Sequence, residues 1–127
     1  MDARSYNCSL VIVVDNLHKS FDGHQVLKGV SLRIPKGSTR VILGLSGSGK
    51  SVLMKHLIGL LQPDSGTIHI DDEDITKMSP KELLKLRRKF GMVFQQSALF
   101  DSMSVEENVA FPLKEHTSLG KDEIHTK

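Results

Sequence analysis

Gly44, Gly49, Lys50 and Ser51 stand at the spacing G-x-x-x-x-G-K-[ST]. The chemistry this pattern serves is phosphate binding. Glycines at those places let successive backbone N–H groups close around a phosphate that a bulkier loop would hold at a distance. Lys50 can neutralise β- and γ-phosphates, and Ser51 has the hydroxyl that coordinates Mg²⁺ in such loops. Ser51 also falls at the start of the following helix, whose partial positive charge favours an anion. A chance match to four positions in so short a chain has odds on the order of one in a few hundred.

A phosphate loop needs a strand before it and a helix after it. Val41, Ile42 and Leu43 form a continuous apolar run, which predicts a strand buried on both faces. Val52, Leu53, Met54, Leu57, Ile58, Leu60 and Leu61 recur at helical spacing, which predicts a helix over 50–61. A plain Gly/Ser turn is the bland alternative. It has no need of a lysine at the helix start.

The 127 residues bound the chain at one domain, small for a complete nucleotide hydrolase. Seventeen basic against 15 acidic residues leave a net charge of +2, too little for an electrostatic nucleic-acid footprint. No nucleic-acid partner is expected. Cys8 is the only cysteine, so no disulfide can form within the chain and a reducing compartment is the easier reading. The apolar run Leu10 to Val14 is too short for a signal peptide core or a spanning helix. The six histidines lack the spacing of a metal site.

Met1 to Asn7 is polar and reads as frayed. Leu10 to Leu17 reads as a strand, followed by turn residues Asp22 and Gly23 and a second, alternating strand, Gly29 to Pro35, as in a half-exposed antiparallel sheet. A turn at Gln62-Pro63-Asp64-Ser65-Gly66 precedes a short strand, Thr67 to Ile70. Asp71 to Asp74 reads as a solvated acidic turn rather than a magnesium-positioning strand end, because Ile68 and Ile70 alternate with Thr67 and His69. Ser79-Pro80-Lys81-Glu82 is a capping box opening a helix to about Lys89, with Leu83, Leu86 and Phe90 on the inner side and Lys85, Arg88 and Lys89 in solvent. Gly91 introduces an expected strand, Met92-Val93-Phe94. Ser104-Val105-Glu106-Glu107 is a second capping box, and its helix is expected to stop by Phe111, ahead of Pro112. From Lys114 onward no core-forming pattern is visible.

Several blocks in this order resemble the nucleotide-binding subunit of an ABC transporter: Phe21 ahead of Val26-Leu27-Lys28-Gly29-Val30-Ser31-Leu32, then the phosphate loop, then Leu60 to Ile68, then Val93-Phe94-Gln95. The resemblance implies an α/β fold, a P-loop NTPase core with an antiparallel β subdomain, incomplete at the C-terminal side. The whole of 1–127 then corresponds to the N-terminal portion of the nucleotide-binding domain, up to the Q-loop and the start of the helical subdomain. Gly44 to Leu57 and Gly91 to Leu113, with Asp101-Ser102 where many importers carry proline, are most similar to the Mla-type branch that moves phospholipid across the Gram-negative envelope with an Mce-domain lipid-binding protein.

The resemblance also implies roles. ATP and Mg²⁺ are the expected ligands, with Gly44, Ser46, Gly47, Ser48, Gly49, Lys50, Ser51 and Val52 around the phosphates. Phe21 stacks on adenine, since a flat apolar face binds a base without hydrogen-bond readout. The bland alternative for Phe21 is a ring capping a strand end. Gln95 is the Q-loop glutamine, with Lys50 a catalytic candidate and with Ser51 a metal candidate; the Val-Phe-Gln register favours it over Gln96. Residues 97–108 then lie near the surface that meets a transmembrane permease, where Leu99 and Phe100 have a use besides core packing. A second ATP-binding subunit completes the implied assembly, cytoplasmic and peripheral on the inner membrane.

The family pattern continues with a Leu-Ser-Gly-Gly-Gln-type signature, a Walker B aspartate with a catalytic glutamate, and a switch histidine, none of which follows Gln95 here. Phosphoryl transfer to water needs phosphates positioned, metal held and water oriented. The expectation is an ABC-type ATPase by family whose 127 residues bind MgATP weakly without turnover. A stand-alone nucleotide-binding or regulatory module, or another P-loop ATPase, are the other classes.

Overall fold

The computed structural model describes residues 10–94 and 98–126. The expectations for Met1 to Asn7, Cys8, Gln95, Gln96 and Ser97 fall outside them. The chain forms two compact units, Met1–Phe90 and Gly91–Lys127.

The first unit is built on an antiparallel sheet in the order β2-β1-β3-β4, with β1 at Leu10–Phe21, β2 at His24–Pro35, β3 at Ser65–Ile70 and β4 at Glu73–Asp74. The first two strands are longer than their apolar patterns. Asp22 and Gly23, with φ of 49° and 80°, make a two-residue turn whose twist matches that of the strands. Pairing therefore runs from Phe21↔His24 back along the polar stretch to Leu10↔Pro35. Four register shifts interrupt the pairing of β1 with β2. Asn16 adopts φ 48° and Gly29 φ 83°, and pairing steps from Leu17↔Val30 to His18↔Lys28, which leaves Gly29 as an extra residue. The bulges explain how Val14 and Leu17, three apart, are both buried.

Two helices cover the inner face: α1, Lys50–Leu57, and α2, Pro80–Arg87. Leu53 and Leu57 of α1 and Leu83 and Leu86 of α2 close over Val14, Leu17, Ile68 and Ile70. Each such side chain, fully buried, contributes roughly 1.5–3 kcal/mol. His56 is also fully buried; its Nδ1–H donates to the Val52 carbonyl at 2.7 Å. The acidic run is a solvated turn only in its first half: Asp71 and Asp72, both at positive φ, join β3 to β4, whereas Glu73 and Asp74 are β4 itself, and Asp74, its side chain 14% exposed, caps a short 3₁₀ turn by accepting from Thr76 N–H at 3.0 Å. Both capping boxes form, and in the first Ser79 N–H donates to Glu82 Oε2 at 2.7 Å.

Three expectations are corrected. Val41 to Leu43 is not a strand, and Val41 and Leu43 are 71% and 88% exposed. A strand buried on both faces exists only between neighbours, and among the described residues none lies beside it. Met92-Val93-Phe94 is likewise unpaired, with Val93 96% exposed, for the same reason. Helix α1 stops at Leu57 rather than Leu61, because Gly59 turns left-handed at φ 65°.

In the second unit, α3 runs over Val105–His116, past the expected stop at Phe111 and through Pro112, and a short α4 follows at Lys121–His125. Proline deletes one ladder bond. The helix survives it because the Ser104 box fixes one end and Thr117 N–H, donating to the Leu113 carbonyl at 3.0 Å, closes the other. Among the described residues no helix is long and apolar enough to cross a membrane.

Candidate functional site

The loop between Gly44 and Lys50 is shaped by its glycines and by one lysine. Ser48 N–H donates to the Leu45 carbonyl at 3.2 Å, folding the chain over at Ser46 and Gly47, the latter at φ 78°. Gly49, at φ 89°, is the N-cap of α1, and a Cβ there would stand 3.0 Å from Val26 Cγ1 and 3.1 Å from Leu27 Cδ2. This approach seats the loop against the start of β2. A Cβ on Gly44 would fall 2.6 Å from Ser48 Oγ, within the space the loop encloses.

Lys50 Nζ donates to the carbonyls of Gly44 and Leu45, each at 2.8 Å, and lies 3.5 Å from Ser48 Oγ. The ammonium is thus held over its own loop. The first bond of the helix ladder runs from Leu53 N–H to the Gly49 carbonyl at 2.8 Å, so the N–H groups of Lys50, Ser51 and Val52 precede it. No side chain caps them and no acid occupies the first turn, which leaves donors and a positive helix end together. Ser46, Gly47, Ser48 and Ser51 are exposed, whereas Val52 is half-buried and packs on the core. The donor set, a lysine, three leading N–H groups and an exposed serine hydroxyl, fits a polyphosphate with its divalent cation.

Phe21 closes β1 opposite His24, 40% exposed, with Lys19 Nζ over its ring at 5.5 Å from the centroid. Lys19 pairs across the strands with Leu27, the residue that touches Gly49. The sheet therefore registers the Phe21 turn to the phosphate loop. Gly44 to Val52 form one continuous loop and helix start, Phe21 is linked to them only through Lys19 and Leu27, and Gln95 lies outside the described residues.

Three residues to which the sequence pattern gave no role each organise their own part of the chain. Asp64 accepts from Lys19 Nζ at 2.8 Å and from Ser20 N–H at 2.6 Å, and its own N–H donates to the His18 carbonyl at 3.0 Å. The Lys19 hydrogen bond, then that from Ser20, holds its carboxyl below the usual value. Arg87 of α2 donates to the carbonyls of Ile58 and Gly59 at the end of α1. In the second unit, Asn108 accepts from Phe100 N–H at 2.8 Å and donates to the carbonyls of Phe100, Met103 and Ser104, folding that loop onto α3. Phe100 also packs on Phe111, ring centroids 4.8 Å apart, while Leu99 stays exposed. The cue for Asp64 was its place in the Pro-Asp-Ser-Gly turn. For Arg87 and Asn108 the pattern held no cue.

A family model described as ABC transporter matches residues 27–126. The chain is 50% identical over 113 residues to the probable ribonucleotide transport ATP-binding protein mkl of Mycobacterium tuberculosis, covering 89% of this chain and 32% of that protein. It is 47% identical over 107 residues to the methionine import ATP-binding protein MetN of Carboxydothermus hydrogenoformans, covering 82% and 32%. It is 40% identical over 114 residues to the intermembrane phospholipid transport system ATP-binding protein MlaF of Haemophilus influenzae, covering 90% and 43%. The chain thus spans less than half the length of these relatives. Among solved structures, the dimeric ATP-binding cassette MJ0796 bound to ADP and Pi superposes with a TM-score of 0.83 at 32% identity, over 91% of this chain and 53% of that one. Loop, helix and antiparallel sheet agree with that match: the chain has the α/β fold of the cassette, and it belongs to the ABC transporter family as part of an ATP-binding domain.

Proposed function

We propose that this chain is the N-terminal portion of an ABC nucleotide-binding domain and that it binds MgATP at the Gly44–Val52 loop. The observation that carries the reading is the placement of Lys50 Nζ, 2.8 Å from two carbonyls of the loop it covers, beside the uncapped start of α1. Lys50 offsets phosphate charge, the N–H groups of Lys50, Ser51 and Val52 donate to phosphate oxygens, and the Ser51 hydroxyl is a metal ligand. The Phe21 ring stacks on the base. Gln95 belongs to the metal and attacking-water side of the site by resemblance. A bound Mg²⁺ would supply charge neutralisation at the phosphates. The 127 residues bind the nucleotide without turning it over, since the signature and Walker B motifs are not among them.

In the whole subunit, paired with a second copy and docked on a permease at the cytoplasmic side of the inner membrane, hydrolysis drives transport. Phospholipid is the cargo this reading favours, from Asp101-Ser102 and the likeness to MlaF, with an Mce-domain protein as partner. The relatives named for ribonucleotide and methionine transport supply the competing cargoes.

Titration of the chain with ATP in the presence of Mg²⁺ tests the core of the reading. Lys50→Ala is expected to weaken binding by about tenfold or more, the loss of a charge-assisted contact. Equal affinity of the two chains would overturn it, and a steady-state ATPase rate abolished by Lys50→Ala would overturn the absence of turnover. Cargo is tested with the whole subunit and its permease in proteoliposomes, where MgATP-driven movement of labelled phospholipid is expected and uptake of methionine or a ribonucleotide instead is not.

A further inference from the structure

Lys19 is charged yet little exposed, its side chain 17% accessible, and its ammonium stands between a carboxylate and an aromatic ring. On one side Asp64 Oδ1 accepts from it at 2.8 Å; on the other the Phe21 centroid is 5.5 Å away. Asp64 is itself fixed from three directions, by Lys19, by Ser20 N–H at 2.6 Å and through its own N–H to the His18 carbonyl. It belongs to the turn between α1 and β3, so it links the end of the phosphate-loop helix to the last residues of β1.

We infer that Asp64 and Lys19 are positioning residues that hold one face of the Phe21 ring and leave the opposite face for the nucleobase. The inference rests on the reading of Phe21 as the base platform. A phenylalanine at a hairpin end has two open faces and free rotation about its side-chain bonds. A cation fixed over one face removes both freedoms, because the ring quadrupole draws that face to the ammonium and the ammonium shields it from a base. The ring is then preorganised for stacking from one direction, and less ordering remains to be done when the nucleotide arrives.

An ion pair that only braced the sheet would affect every ligand alike, so the test compares the full chain's affinity for MgATP with that for inorganic tripolyphosphate. Phe21→Ala is expected to weaken ATP by about tenfold and leave tripolyphosphate unchanged. Lys19→Met and Asp64→Asn should each weaken ATP about two- to fivefold, again sparing tripolyphosphate, and Lys19→Arg should bind like the unaltered chain. If ATP binds the unaltered chain no better than tripolyphosphate, or Phe21→Ala leaves their ratio unchanged, the reading of Phe21 fails. If Phe21→Ala shifts the ratio but Lys19→Met and Asp64→Asn leave it unchanged, or weaken both ligands equally, the positioning role is overturned while the platform stands.

Discussion

Arg87 reaches out of α2 to donate a 2.7 Å hydrogen bond to the carbonyl oxygen of Gly59, the left-handed residue just past the end of α1. Its Nε adds a 3.1 Å bond to the carbonyl of Ile58. A helix end leaves carbonyls without partners in its own ladder, and the planar guanidinium serves two of them at once. The phosphate-loop helix is thus free of side-chain caps at its start and braced at its finish.

Arg87→Met should accordingly destabilise the chain by roughly 1.5–3 kcal/mol, the range for hydrogen bonds from a charged group. Arg87→Lys keeps the charge but not the two-pronged geometry, and should recover only part of the loss. Urea unfolding monitored by far-UV circular dichroism gives both values. Equal midpoints for Arg87→Met and the unaltered chain would remove Arg87 from the account.

The glycines are not equivalent. Gly66 has φ of 91° and a Cβ there would meet the backbone of Asn16 and stand 2.7 Å from the Asp15 carbonyl oxygen, so Gly66→Ala must move a strand. A loss above about 2 kcal/mol is expected. Gly47, at φ 78° with open space around it, should cost about 1 kcal/mol on substitution by alanine, the left-handed backbone term alone. Gly49→Ala, against the movable Val26 and Leu27 side chains and 3.3 Å from the Val26 carbonyl oxygen, should fall between them. The three unfolding midpoints should rank in that order; a Gly66→Ala chain as stable as Gly47→Ala would contradict the bulge geometry.

Acid should unfold the protein through a few identifiable carboxylates. Asp64 is lowered from 3.8, first by Lys19 and then by Ser20. Glu82 and Glu107 are lowered from 4.5 by the serines of their capping boxes. At Asp74 burial pushes upward and is the largest single effect, yet the bonds from Thr76 and Lys77 together outweigh it. Groups lowered on folding stabilise the native state above their unfolded values, and that contribution fades as pH falls toward the folded ones. Stability should be flat near neutrality and decline below about pH 5. Asp64→Asn should flatten part of that decline in urea midpoints taken between about pH 7 and pH 3, and an unchanged slope would exclude Asp64 from it.

What the sequence made legible was what local chemistry decides. The two serine boxes, the Asp22-Gly23 turn, the glycine-rich loop and the inward Leu83 and Leu86 all depend on residues within a turn or two of each other. Motif and resemblance single out Phe21 and Lys50, and the structure places the first at the end of β1 and the second over its own loop. Illegible were the contacts that span the chain. Lys19 and Asp64 meet across 45 positions and Arg87 meets Gly59 across 28, distances at which no periodicity speaks. Val41 to Leu43 misled for a related reason: a run of apolar residues states what a strand would bury, not whether neighbours are there to bury it.

The central place of β1 also orders the assembly of the molecule. Its pairing with β2 closes over the two-residue turn Asp22-Gly23, a local event of the kind completed in ~1–10 μs. Pairing with β3 must wait until everything between Pro35 and Ser65, phosphate loop and α1 included, has looped back. The docking of β3 is therefore the step that brings Asp64 to Lys19, so the ion pair beside Phe21 is acquired late on the folding route rather than with the first hairpin.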